Sequence, residues 1–128
     1  MIVDTSAIVA IVLKEPGFEV LIAKIQASTT AGMGTPSLAE AAIVLSCRLK
    51  LDGRTLLGRL MVELELVPVS FGEPHWREAV RAYDRYGRGR HPAALNFGDC
   101  MSYAIASLAG KPLLFTGADF ARTDLTAA

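Results

Sequence analysis

The chain has 128 residues, 52% of them hydrophobic, and a mean hydropathy of +0.36. That is enough apolar side chain for one domain core, with some left over for a partner surface. Charge is balanced at 13 basic and 13 acidic residues, but residues 77–91 hold five arginines against two acids. The balance hides a basic strip on a mildly acidic body.

The apolar run from Ala7 to Leu13 is seven residues long, well short of the ~18 that cross a bilayer. An acid stands where a secretory signal carries Lys or Arg, and no A-x-A-like site follows, so a cytoplasmic location without membrane contact is expected. Cys47 and Cys100 form no C-x-x-C and read as small buried hydrophobes in a reducing compartment. His75 and His91 add no zinc spacing. Neither a thiol enzyme nor a zinc site is indicated.

In chain order, "MIVD" reads as a short buried strand, and "SAIVAIVLKEPG" as a helix that stops at Pro16-Gly17. "FEVLIAKIQAS" is helical, with Lys24 and Gln26 outward, and "TTAGMGTP" is a strand of small residues. Thr35 as N-cap and Pro36 as first helical residue start the helix "SLAEAAIVLSCRLKL". "GRTLLGRLMVELE" is another helix, and "LVPVS" a strand. "EPHWREAVRAYDRYG" is a helix with Trp76, Ala79, Val80 and Tyr83 on one side and Arg77, Arg81, Arg85 and Arg88 along another. After the loop "RGRHPAAL", the helix "NFGDCMSYAIASLAG" starts near a capping Asn96 and closes at Gly110. "KPLLFTGADF" is a strand and turn before a short tail. Nearly continuous apolar strands alternating with helices predict an α/β/α sandwich on a mostly parallel sheet of four to five strands.

In such folds ligands gather beyond the C-terminal ends of the strands. Asp4 ends the first strand and Asp119 follows the last, so the two can be neighbours in space. Glu40 has Pro36, Ser37, Ile43 and Val44 at its helical neighbour positions, and Asp99 has Leu95, Asn96, Ser102 and Tyr103. Neither has a Lys or Arg within helical reach. A carboxylate on an apolar face is costly to bury unless positive charge meets it, and a shared divalent cation is one source. Each acid also has a plainer explanation. Asp4 could cap the first helix, Glu40 could lie on a solvated stripe, Asp99 could complete a capping box with Asn96, and Asp119 could pair with Arg122. Taken together, the four point to magnesium or manganese, which favour oxygen ligands, over zinc.

The segments "MIVDTSAIVAI", "TPSLAEAAIVL", "YGRGRHPAALNFGDCMSYAIA" and "PLLFTGADFARTDL" together resemble the VapC toxins, PIN-domain ribonucleases of type II toxin–antitoxin systems. The likeness runs over essentially the whole chain, and "LNFGDC" and "GADF" are its most specific parts. It implies that Asp4 and Asp99 are the principal magnesium ligands, with Glu40 and Asp119 completing an acidic pocket. Thr5 or Ser6 would support the site through a hydroxyl, and Asn96 would orient it. Ala118 departs from the family, where the residue before the last acid is often polar; Asp124 is a substitute candidate for that acid. The implied reaction is hydrolysis of an RNA phosphodiester by metal-activated water, with manganese able to replace magnesium.

Arg77, Arg81, Arg85, Arg88 and Arg90 would then hold backbone phosphates, where otherwise they form an ordinary solvated face. The resemblance also implies a homodimer and a VapB-type antitoxin seated in an apolar groove, with residues 7–13 and 38–66 as candidate surfaces, although most of those residues read as core. Three other functions were weighed. A haloacid-dehalogenase-like phosphatase needs a second Asp where Ser6 stands, and a receiver-like module needs a phosphoacceptor Asp that "LVPVS" lacks. A catalytically silent PIN-like module that binds RNA or a partner is the remaining alternative, separable by the metal dependence of cleavage.

Overall fold

The structure, a computed structural model, describes residues 1–128. The strands are β1 (Ile2–Val3), β2 (Ala31–Gly34), β3 (Leu66–Val69) and β4 (Leu113–Leu114). The helices are α1 (Thr5–Val12), α2 (Phe18–Ala27), α3 (Thr35–Leu49), α4 (Gly53–Glu63), α5 (Glu73–Tyr86) and α6 (Phe97–Ala109). The sheet is wholly parallel, in the order β3-β2-β1-β4. From β1 the chain winds outward through β2 to β3, then crosses back to lay β4 on the free side of β1. Direction therefore reverses between β1 and β4, and the crevice at their carboxyl ends is where such sheets hold ligands.

Alternation along the strands builds the layers. Ile2 and Leu113 point into a core with Ala79, Ala82, Tyr86, Cys100, Tyr103 and Ile105, under α5 and α6. Val3, Met33, Leu66 and Leu114 point the other way, against Ile8, Ile11, Ile25, Leu45 and Leu57 of α1 to α4. These two cores on either side of one sheet are the expected α/β/α sandwich. Gly34, at the end of β2, lets α6 approach: a Cβ there would stand 2.8 Å from Ile105 Cγ1.

Two details differ from the sequence reading. Gly34, in extended backbone, is the residue before α3, and Thr35 is already helical. Pro36 sits in the first turn, where its missing N–H has no intrahelical acceptor to lose. Cys47 is exposed on α3, and only Cys100 is buried, because α3 turns the face bearing Ala41 and Leu45 to the core. Residues 7–13 are mostly core, as the sequence reading has them, with Ala7, Ile8, Ala10 and Ile11 buried. The two histidines serve local turns: His75 Nδ1 accepts from Gly72 N at 3.0 Å, and His91 Nδ1 from Ala93 N at 3.0 Å. No helix is long and apolar enough to cross a membrane.

Leu45 is fully buried among the α1–α4 residues. Leu45→Ala should lower unfolding stability by about 2–5 kcal/mol, measured by chemical denaturation.

Candidate functional site

The chain leaves β1 at Val3 and turns at once into α1, which makes Asp4 both the strand's end and the helix cap. Asp4 N donates to Leu114 O of β4 at 2.9 Å. Its side chain is only 5% exposed, and protein donors surround it. Oδ2 accepts from Ser6 N at 2.9 Å and Ser6 Oγ at 2.6 Å, while Oδ1 accepts from Ser102 Oγ of α6 at 2.5 Å. The cap expected as a plainer explanation is real, and it coexists with a place at the bottom of a cleft.

That cleft, of about 290 Å³, is lined by Asp4, Thr5, Ser6, Val9, Glu15, Glu40, Asn96, Asp99 and Thr116. No Lys or Arg is among them. Glu40 comes from the second turn of α3, and its Oε2 lies 3.3 Å from Thr5 Oγ1. Burial, reinforced by the charge of Asp4, raises its pKa against the opposing hydrogen bond from Thr5. Room for this carboxylate depends on Gly98, where a Cβ would stand 2.5 Å from Glu40 Oε2.

Asp99 stands in the first turn of α6. Asn96 N donates to Asp99 Oδ2 at 2.9 Å, and Asp99 N donates to Asn96 Oδ1 at 2.9 Å. This is the reciprocal cap foreseen from the spacing, and it fixes the side chain with one carboxylate oxygen spent on the backbone. Burial pushes the Asp99 carboxyl up to about 6, and the charges of Asp4, Asp119 and Glu40 add to it. Asp119 is exposed after β4 and does not line the cleft, yet it is close enough for its charge to act on Asp99. It forms no ion pair with Arg122, which donates to Pro92 O at 3.0 Å instead.

Asp124 is engaged elsewhere. It accepts from Tyr103 Oη at 2.6 Å and pairs with Arg85 at 3.1 Å. The tyrosine hydroxyl first, and the guanidinium with it, hold its carboxyl below the usual range. The cleft also contains residues the sequence reading passed over. Glu15 and Thr116 line it, and Thr116 N donates to Ser6 Oγ at 3.1 Å. Ser37 and Ser102 lie beneath it, 2.9 Å apart. Their signal was available, since one stands three residues before Glu40 and the other three after Asp99.

No group of three or more acidic, histidine or cysteine side chains stands close enough together to hold a metal ion without rearrangement. The donor set nonetheless suits a hard cation: its groups are carboxylates, hydroxyls and an amide, with neither His nor Cys. Four carboxylates line the cleft and no basic side chain meets them there.

The basic strip is partly neutralised by its neighbours. Arg77 pairs with Glu73 at 2.8 Å, Arg81 with Glu78 at 3.7 Å, and Arg85 with Asp124 at 3.1 Å. Arg88 and Arg90 pair with no carboxylate; Arg90 lies over the Tyr83 ring, 5.3 Å from its centroid. Beside the strip, α5 and α6 enclose an apolar groove of about 460 Å³ lined by Phe71, Trp76, Val80, Tyr83, Phe97 and Met101, with Ala79 and Cys100 at its base. Phe97, 79% exposed, and Met101 also line a depression shared with Glu40 and Asn96, which leads into the acidic cleft. The surplus apolar surface is thus concentrated between α5 and α6. On α3 and α4, Ile43, Leu49 and Val62 are exposed outside that groove.

The PIN domain family model matches residues 1–125. Ribonuclease VapC36 of Mycobacterium tuberculosis is 48% identical over 126 residues, covering 98% of this chain and 91% of that protein. Ribonuclease VapC of Mycolicibacterium smegmatis is 41% identical over 127 residues, covering 99% and 98%. The crystal structure of Mycobacterium tuberculosis VapC20, titled a sarcin-ricin loop cleaving toxin, superposes with a TM-score of 0.80 over 99% of this chain and 97% of its own, at 14% identity. With a family match over nearly its whole length, and relatives at this identity on an acidic cleft at the sheet's switch point, the chain belongs to the PIN-domain family, among the VapC ribonucleases.

Proposed function

We propose that this protein is the toxin of a type II toxin–antitoxin pair, a magnesium-dependent endoribonuclease restrained by a VapB-type antitoxin. The observation that carries the reading is the oxygen-only acidic cleft beyond β1 and β4, with several carboxylates and no basic side chain. Asp4 and Asp99 would be the main ligands, with Glu40 and Asp119 adding charge. When bound, magnesium supplies a more acidic water at neutral pH and positive charge against the scissile phosphate; manganese can stand in for it.

The protein's own part is to hold its acceptors still and bring RNA to them. Asn96 fixes the rotamer of Asp99 through the reciprocal cap, and Ser6 holds one oxygen of Asp4. Thr5, the first residue of α1, faces α3, with Ser37 O 3.2 Å and Glu40 Oε2 3.3 Å from its hydroxyl. Arg88 and Arg90, without carboxylate partners, are the first candidates to hold backbone phosphates. Arg77, Arg81 and Arg85 would exchange exposed ion pairs, which are weak, for the same purpose. The α5–α6 groove, continuous with the cleft, is the better candidate seat for an antitoxin segment than residues 7–13. The outer side of α3 and α4, where Ile43, Leu49 and Val62 are exposed, is the candidate surface for a homodimer.

The deciding experiment is cleavage of total RNA by purified, antitoxin-free protein with and without magnesium, with Asp4→Asn as control. Magnesium-dependent fragments that vanish in the variant support the reading; none from folded, metal-loaded protein at any concentration counts against it. Asp99→Asn should lower cleavage on the order of 10³-fold, as expected when several kcal/mol of transition-state charge stabilisation are lost, with circular dichroism unchanged. Replacing Arg88 and Arg90 together by Ala should flatten the dependence of log affinity on log salt by about 1.4, at ~0.7 per lost contact on single-stranded RNA. The raised Asp99 carboxyl predicts a pH effect in metal-free protein. Its contribution to stability is fully present below the unfolded value near ~4 and is lost as pH rises through about 6. Thermal unfolding should therefore show Asp99→Asn gaining stability relative to the wild type between pH 4 and pH 7, and magnesium should narrow that gap.

A further inference from the structure

Two buried serines sit behind Asp4, and the direction of their hydrogen bonds can be worked out. Ser102 is 1% exposed and Ser37 is 2% exposed. A carboxylate oxygen only accepts, so the single Ser102 proton goes to Asp4 Oδ1, at 2.5 Å. Ser102 Oγ then has no proton left for Ser37, so in the 2.9 Å contact between the two hydroxyls Ser37 is the donor. The chain runs one way: Ser37 to Ser102 to Asp4, from α3 through α6 to the end of β1.

Mutual satisfaction does not account for the pair. If both hydroxyls were removed, the only group to lose a partner would be Asp4 Oδ1; the Thr5 hydrogen bond to α3 is made to the Ser37 carbonyl, which would stay. The hydroxyls are therefore present on account of that carboxylate. At Asp4 the acceptor count is nearly full. Oδ2 takes two protons from Ser6 and Oδ1 takes one from Ser102, leaving one lone pair, on Oδ1.

We infer that Ser102, backed by Ser37, is a positioning residue that locks the Asp4 carboxylate from behind, so that Oδ1 offers a divalent cation one fixed lone pair. This rests on the metal-site reading above. Groups that orient a ligand in this way change metal affinity or activity by about 10–100-fold when lost.

The test is manganese binding by calorimetry on metal-free protein without RNA, with thermal unfolding measured beside it. Ser102→Ala should weaken binding by about 10–100-fold. Ser102→Cys, of similar volume but a weaker donor, should fall between that variant and the wild type. Ser37→Ala leaves the bond to Asp4 in place and should have the smallest effect. If Ser102→Ala does not fold, Ser102→Cys against Ser37→Ala carries the comparison. Unchanged manganese affinity in the folded Ser102 variants, with only thermal stability lowered, would overturn the inference and leave the metal site standing. Wild-type protein that takes up no manganese, or Asp99→Asn that binds it equally well, would instead remove the metal reading, and the positioning role with it.

Discussion

A carboxylate at the end of a central strand, only 5% exposed, must be met by donors or by positive charge, because burying it bare costs several kcal/mol. Much of the neighbourhood answers that demand around Asp4. The abrupt passage from β1 into α1 brings Ser6 back under Oδ2, and α6 crosses close enough to put Ser102 on Oδ1. That close crossing relies in turn on Gly34, whose lack of a side chain leaves space for Ile105. The central strand, two helices and a glycine are thus tied to one acidic group.

The same geometry gathers the other acids. Parallel strands present all their carboxyl ends on one edge, so Asp4 after β1, Thr116 after β4 and Glu40 on the helix after β2 converge although they are distant in sequence. Asp99 joins them because α6 begins at this edge and its first-turn cap points the side chain inward. The outcome is an electrostatically unbalanced cleft beside an apolar groove. The two surfaces differ in the kind of contact they offer and share no lining residue; the depression that holds Glu40, Asn96, Phe97 and Met101 joins them.

Much of this could be read from the amino acids. The layers followed from unbroken apolar strands between helices, and the candidate acids from their lack of basic neighbours at helical spacing. Asp99 and Asn96 were legible as a reciprocal cap because that interaction is local. What escaped was non-local. Periodicity cannot tell which face of α3 meets the sheet, so Cys47 was expected inside. Ser37 and Ser102 were visible beside Glu40 and Asp99, but their meeting across two helices needs the fold. In the arginine strip, the pairs of Arg77 with Glu73 and Arg81 with Glu78 are local, while that of Arg85 with Asp124, 39 residues away in sequence, needs the fold.

Gly98 has a consequence of a different kind. A carbon added there meets Glu40 Oε2 at 2.5 Å, and that atom is the free end of a long, flexible side chain. The protein can therefore accept a larger residue at little expense in folding, simply by swinging the glutamate aside, but the cleft then loses the placement of one of its charges. The mutational target for disarming this protein is wider than its acids. A single missense change at a residue with no functional group of its own can leave an intact fold and a damaged site, so a stable protein of this fold can lose its cleft without losing any of its acids.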